Sequence, residues 1–146
     1  MKIIYISGAF GTKVDDGDDY HFIERNILRA SEYALVAARK GWAPFTPHKN
    51  TGGFQHTHDI DPEFWMGVCL TFVRKADAIL MIPGWEKSKG AIREKQIAVV
   101  HGIPVFTPET LPEESKFPSR LGEGIVVPKA PVGSGSENLL KEGDLQ

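Results

Sequence analysis

Ala78-Ile79-Leu80-Met81-Ile82, followed closely by Trp85-Glu86-Lys87-Ser88-Lys89-Gly90-Ala91-Ile92-Arg93-Glu94, is the stretch that decides the fold. Five consecutive aliphatic residues fit a strand buried on both faces, as in a parallel sheet, and residues 95–101 read as a helix. A strand, a turn and a helix therefore meet near Gly90. At such a junction a residue without a side chain lets a ligand approach the backbone, while Ser88 can cap the helix or donate to an anion. Helical spacing puts Glu94 one turn below Gly90 and one turn above Ala98, so small side chains flank its carboxylate and leave room for a ligand.

The same alternation extends outward. Upstream, Lys2-Ile3-Ile4-Tyr5-Ile6-Ser7 is an apolar strand that runs straight into Gly8-Ala9-Phe10-Gly11-Thr12. Doubly wound α/β domains begin this way, and ligands gather beyond the C-terminal ends of their strands. A full dinucleotide fingerprint needs a third glycine and an immediate helix; here an acidic loop over residues 14–19 intervenes, which makes the loop a small-molecule contact rather than a pyrophosphate cradle. Ile23, Ile27, Ala30, Ala34, Ala37 and Ala38 recur at helical spacing across residues 20–40, and their small side chains predict close packing on a sheet. Trp42-Ala43-Pro44-Phe45 fits a strand near an edge, where proline is tolerated.

Residues 46–60 read as an irregular loop over the ligand end, and Asp61-Pro62-Glu63 as the capped start of a second helix carrying Phe64, Trp65, Val68 and Phe72. Ile103-Pro104-Val105-Phe106 supplies a fourth strand, and Ile125-Val126-Val127 can supply a fifth. The expected class is α/β, a three-layer sandwich with a mostly parallel sheet of four to five strands. One domain is expected over residues 1–127, with residues 128–146 a flexible or partner-docked tail.

Length and charge exclude several classes of function. A chain of 146 residues suits one domain, and a net charge of −2 gives no reason to expect nucleic acid as a partner. Cys69 has no cysteine partner, and its apolar neighbours suggest a core thiol. No signal-peptide pattern opens the chain and no apolar run reaches membrane-spanning length, so a cytoplasmic protein without membrane contact is expected. His56-Thr57-His58-Asp59 could hold a divalent ion, but no distant partner lies at a recognised ligand spacing; loop polar groups, with Asp61 capping the next helix, are the alternative.

Taken in order, these segments resemble the nucleoside 2-deoxyribosyltransferase-like superfamily, including its small phage and bacterial members of unassigned function and, next, the nucleoside 5′-monophosphate N-glycosidases. The resemblance rests on Ile4-Tyr5-Ile6-Ser7-Gly8, Asn26 in an alanine-rich helix, Pro44-Phe45-x-Pro47-His48, Ala76-Asp77-Ala78-Ile79-Leu80 and Trp85-x-x-Ser88-x-Gly90-Ala91-x-x-Glu94-x-x-x-Ala98. It implies a flavodoxin-like fold and, in active members, cleavage of the bond between sugar and base. It also implies Glu94 as nucleophile, Tyr5 as the residue orienting it, and Asp61, with Asp59 the second choice, as the carboxylate handling the leaving base and a sugar hydroxyl. Gly8, Ala9, Phe10 and His48 would form the base end, with Trp85 or Phe10 stacking on the base. Ser88, an aspartate in the transferases and a serine facing the 5′-phosphate in the monophosphate hydrolases, points with Gly90 to a phosphorylated ligand, and Lys87, Lys89 and Arg93 lie close in sequence.

The resulting expectation is hydrolysis of a (deoxy)nucleoside 5′-monophosphate through a glycosyl-Glu94 ester. The alternatives are deoxyribosyl transfer and non-catalytic nucleotide binding on the same fold. Carboxylate chemistry of this kind needs no cofactor and no metal. A homodimer or an assembly of dimers is expected, with residues beyond Phe106 reaching a neighbour and Phe117, Leu121 and Leu139-Leu140 as anchors.

Overall fold

β1 (Ile3–Ser7) lies inside a four-stranded parallel sheet of order β4-β1-β5-β6, between β4 (Ala43–Phe45) and β5 (Ala78–Met81), with β6 (Val105–Phe106) at the far edge. The computed structural model describes residues 1–11, 13–14, 17–18, 20–54 and 59–117. The two inner strands are buried along nearly their whole length, which is why both read as aliphatic runs. β4 takes the edge, where the missing N–H of Pro44, opposite Ile4, costs least. Asp77, just before β5, accepts the Ile3 amide on Oδ2 at 2.7 Å and returns its own amide to the Ile3 carbonyl at 2.9 Å.

Strand alternation sorts β1 between two layers. Ile4 and Ile6 face the side where α1 (Tyr20–Arg39) packs through Ala30 and Ala37, joined by Trp42, Ala78 and Leu80. Tyr5 faces the other side, with Ile79 and Met81, under α3 (Pro62–Lys75) and α4 (Lys89–Val100). The expected three-layer α/β sandwich is therefore present.

Several local expectations need correction. The acidic loop contains a two-stranded antiparallel hairpin, β2 (Lys13–Val14) with β3 (Gly17–Asp18). The irregular stretch over 46–60 contains a short helix, α2 (Pro47–Thr51), because Pro47 at its first turn is preset to helical φ. α3 begins as expected, with Asp61 accepting the Glu63 amide at 2.8 Å, but its buried face is rotated. Val73 is buried, whereas Phe64 and Phe72 remain 58% and 39% exposed. Phe72 covers the edge strand instead, stacked on Phe45 at 4.4 Å. Among the described residues no helix is long and apolar enough to cross a membrane.

Residues 107–117 fold back on their own domain instead of projecting away. Leu111 is buried in the α1 layer, its carbonyl accepts from Lys40 Nζ at 2.5 Å, and Pro112 accepts from Trp42 Nε1 at 2.9 Å. Lys2 and Glu114 form an ion pair at 2.7 Å, and Phe117, expected as an anchor for a partner, packs on Trp42 at 5.3 Å. Ile125-Val126-Val127, Leu121, Leu139-Leu140 and the whole tail lie outside the described residues, as do His56 and His58. Truncating a core leucine removes transfer energy and leaves a cavity. Leu111→Ala is expected to lower unfolding stability by about 2–5 kcal/mol in urea titration. A loss below about 0.5 kcal/mol, the range of surface changes, would show that this segment is not part of the core.

Candidate active site

A cavity of about 330 Å³ opens where β1 ends, between α2, α3 and the N-terminal turn of α4. This is the carboxyl end of a parallel strand, where α/β sheets bind ligands, and its volume suits a small molecule. Glu94 forms part of its wall and is only 6% exposed. Its two oxygens are both engaged: Tyr5 Oη donates to Oε1 at 2.7 Å and Ser7 Oγ to Oε2 at 2.5 Å. The pairing follows from β1, whose period of two puts residues 5 and 7 on one face, opposite α4.

Burial dominates the electrostatics here. It raises the Glu94 carboxyl from 4.5 to about 7, against the two hydroxyl bonds, which favour the anion. Burial, reinforced by the Glu94 charge, holds Tyr5 well above its ordinary value, so the phenol stays protonated and donates. The Cys69 thiol is also pushed up, first by burial and then by Glu94, while its contact with Tyr5 acts the other way.

The rest of the wall is assembled by small residues, caps and straps. Ser88 caps α4, its Oγ accepting from the Ala91 amide at 3.3 Å, and lines the cavity beside Gly90. A side chain at Gly90 would press on Met66 at 3.2 Å, so the glycine lets α3 close on α4. A Cβ at Gly8 would run into Ile82. The loop after β1 is tied on two sides: Asn26 Nδ2 donates to the Phe10 carbonyl at 2.9 Å, and His48 Nε2 meets the Ala9 carbonyl at 3.1 Å. Since a carbonyl only accepts, Nε2 carries the proton and His48 Nδ1 presents a lone pair. Burial lowers the His48 pKa and keeps the ring neutral. Among the described residues His48 Nδ1 and Trp65 Nε1 are both buried without a hydrogen-bond partner, and both rings line the cavity.

The structure thus gathers Glu94, Gly8, Phe10, His48, Ser88 and Gly90 around one space. Tyr5 stands behind Glu94, and Ala9 contributes its carbonyl to His48. Two expected residues are not brought in. Asp61 is exposed, outside the cavity wall, with its carboxylate capping α3. Trp85 sits in a single 3₁₀ turn, packs on the core beneath α4, carries Lys95 Nζ over its ring at 4.1 Å, and is not a wall residue. The charged residues near Ser88 are not wall residues either: Lys87 and Lys89 are exposed, and Arg93 makes a two-pronged pair with Glu63 at 2.8 and 3.0 Å. Sequence reasoning missed Ser7, Trp65 and the exposure of Cys69 to the cavity. Strand alternation alone could have found Ser7, because it shares a face with Tyr5.

A family model described as "Domain of unknown function (DUF4406)" matches residues 2–107. The chain belongs to this family. Its matched region holds every described element from β1 to β6 and all the cavity-lining residues named above. Among solved structures, the 2-deoxyribosyltransferase of the psychrotolerant bacterium Bacillus psychrosaccharolyticus is similar, with a TM-score of 0.50 and 18% identity over 72% of this chain and 70% of that one. That likeness is one of fold, and it agrees with the resemblance read from the sequence. No curated protein matches.

The buried carboxyl has a thermodynamic signature. The fold keeps Glu94 protonated up to about pH 7, while the unfolded chain releases the proton near 4.5. Between those values the native state binds more protons, so stability falls as pH rises through the window, by about 3 kcal/mol for a difference of that size. Glu94→Gln should remove this fall and be more stable than the parent at pH 8. Urea titrations from pH 4.5 to 8 check it; an equal slope in both proteins would place the titration elsewhere.

Proposed function

We propose that this protein is an N-glycosidase that hydrolyses the base–sugar bond of a (deoxy)nucleoside 5′-monophosphate through a glycosyl ester on Glu94. The observation that carries the reading is Glu94 itself, a buried carboxylate on the wall of a small-molecule cavity with a hydroxyl donor on each oxygen. An exposed structural glutamate would pair with a neighbour such as Arg93, and that arginine is held by Glu63 instead. The fold shared with an enzyme named a 2-deoxyribosyltransferase supports a nucleoside-type ligand.

In the proposed reaction one Glu94 oxygen bonds to the anomeric carbon as the carbon–nitrogen bond breaks and the base leaves with the bonding pair. Developing positive charge on the sugar faces the carboxylate that traps it. Glu94 is the sole carboxylate among the described wall residues, and the departing base takes its proton from water or from Asp61, which lies between the wall residues Ile60 and Pro62 and uses only Oδ1 in its helix cap. A water molecule then cleaves the ester, leaving a sugar phosphate and regenerating Glu94. The 5′-phosphate is assigned to the start of α4, where the Ser88 hydroxyl and the first helical amides favour an anion. The base is assigned to the opposite end, where the unpartnered Trp65 Nε1–H and His48 Nδ1 supply one donor and one acceptor. Sugar transfer to a second base is the other reading that the shared fold favours, and it differs only in what opens the ester.

Incubation with a panel of ribo- and deoxyribonucleosides and their 5′-monophosphates, with and without an added free base, separates these readings by chromatography. Free base from monophosphates is expected, with a loss of about 10³-fold or more in Glu94→Ala. New nucleoside formed only with added base would favour transfer, and no product from any substrate would overturn both. Ser88→Asp should raise KM about tenfold or more for monophosphates and leave nucleosides little changed, because it sets a like charge against the phosphate. Equal effects on both substrate types would remove the phosphate from this end of the cavity.

A further inference from the structure

The second hydroxyl on Glu94 has a distinct role. Ser7 ends β1, is fully buried, pairs in register with Met81, and accepts the Ile82 amide on its carbonyl at 2.9 Å, so its backbone cannot drift. Its side chain has a single described partner, Glu94 Oε2 at 2.5 Å. The terminal torsion of a glutamate is soft and roughly two-fold, so one hydrogen bond to Oε1 pins an oxygen but leaves the carboxylate plane free to swing. A donor on each oxygen removes that freedom. We propose that Ser7 is a positioning residue for the nucleophile, fixing with Tyr5 the plane of the Glu94 carboxylate so that an unshared electron pair faces the cavity.

This inference rests on the reading of Glu94 as nucleophile and adds a part to it. A carboxylate offers about four acceptor directions, and the two hydroxyls occupy two. When one oxygen bonds to the anomeric carbon and the base departs with the bonding pair, the other oxygen becomes the ester carbonyl and retains a hydroxyl donor. Positioning also favours the anion, because no described cation offsets burial. Tyr5 from β1 and Cys69 from α3 are protonated neighbours, and His48 from α2 is neutral. On α4 itself Arg93 is held by Glu63 and Lys95 lies over Trp85. The hydroxyls are thus the groups that draw the Glu94 carboxyl back down.

Two readouts on Ser7→Ala and the gentler Ser7→Cys test the proposal. The first is the pH profile of base release; the second is the titration of the Glu94 carboxyl by NMR of ¹³C-labelled glutamate, with the signal assigned by its loss in Glu94→Gln. Ser7→Ala should move both midpoints upward by about one pH unit and lower plateau kcat about 10–100-fold, with KM nearly unchanged. Ser7→Cys, which keeps a weak donor, should fall between. An unmoved NMR midpoint, or a moved midpoint with full plateau kcat, overturns the positioning role. A parent protein that releases no base defeats the glycosidase reading instead, and the NMR titration still decides whether Ser7 holds Glu94.

Discussion

A carboxyl group taken out of water is the constraint on which this structure depends. Burial of Glu94 disfavours its charged form, and hydrogen bonds with fixed geometry are what offset that penalty. Tyr5 and Ser7 provide them because β1 is an inner strand whose alternation aims both at α4. The sheet cannot slip by one residue without turning Tyr5 and Ser7 away and bringing Ile4 and Ile6 against the carboxylate. Register, core and site are therefore set together. The apolar face of α1 against Ile4 and Ile6 holds β1 in the one phase that also serves Glu94.

Around that fixed point the walls are built from less demanding contacts. Ser88 starts α4 and Gly90 lets it approach α3, which places Glu94 at the depth where the strand hydroxyls reach it. Asn26 and His48 hold the loop after β1 through backbone carbonyls, so Gly8 and Phe10 are positioned by groups that need no charge. The Arg93–Glu63 pair bridges α4 and α3 at the surface, where an exposed ion pair contributes little stability. The two buried nitrogens of His48 and Trp65 stand apart from this economy of satisfied groups. Unpaired buried polar atoms are costly, and a ligand bridging them would recover that cost on binding.

What could be read from the sequence followed how local each signal is. The β1 and β5 runs, the alanine face of α1 and the Asp61-Pro62-Glu63 cap depend on neighbours in sequence, and each lies where those neighbours place it. Ser88 and Gly90 were legible for the same reason. The phase of α3 was not: its apolar residues surround the helix, and only docking against Tyr5 and Ala91 selects Val73 over Phe64 for burial. For Trp85 the local signal was ambiguous, because an aromatic beside a glycine-bearing turn fits a stacking platform as well as a core wedge; in the fold it packs on the core with Lys95 over its ring. Asp61 was legible as a helix cap, and its exposed position outside the cavity wall was not, because it depends on how α3 docks. Ser7 was overlooked because a serine at the end of a strand usually meets water, and its partner lies 87 positions away.

Trapping of the intermediate tests the central claim most directly. The protein is mixed with a nucleoside 5′-monophosphate carrying an electron-withdrawing fluorine on the sugar, which slows ester hydrolysis, then quenched and analysed by intact and peptide mass spectrometry. A mass increase equal to the sugar phosphate is expected, localised to Glu94 and absent from Glu94→Gln. Release of base with no adduct on the parent protein, or an adduct mapped to another residue, would contradict it.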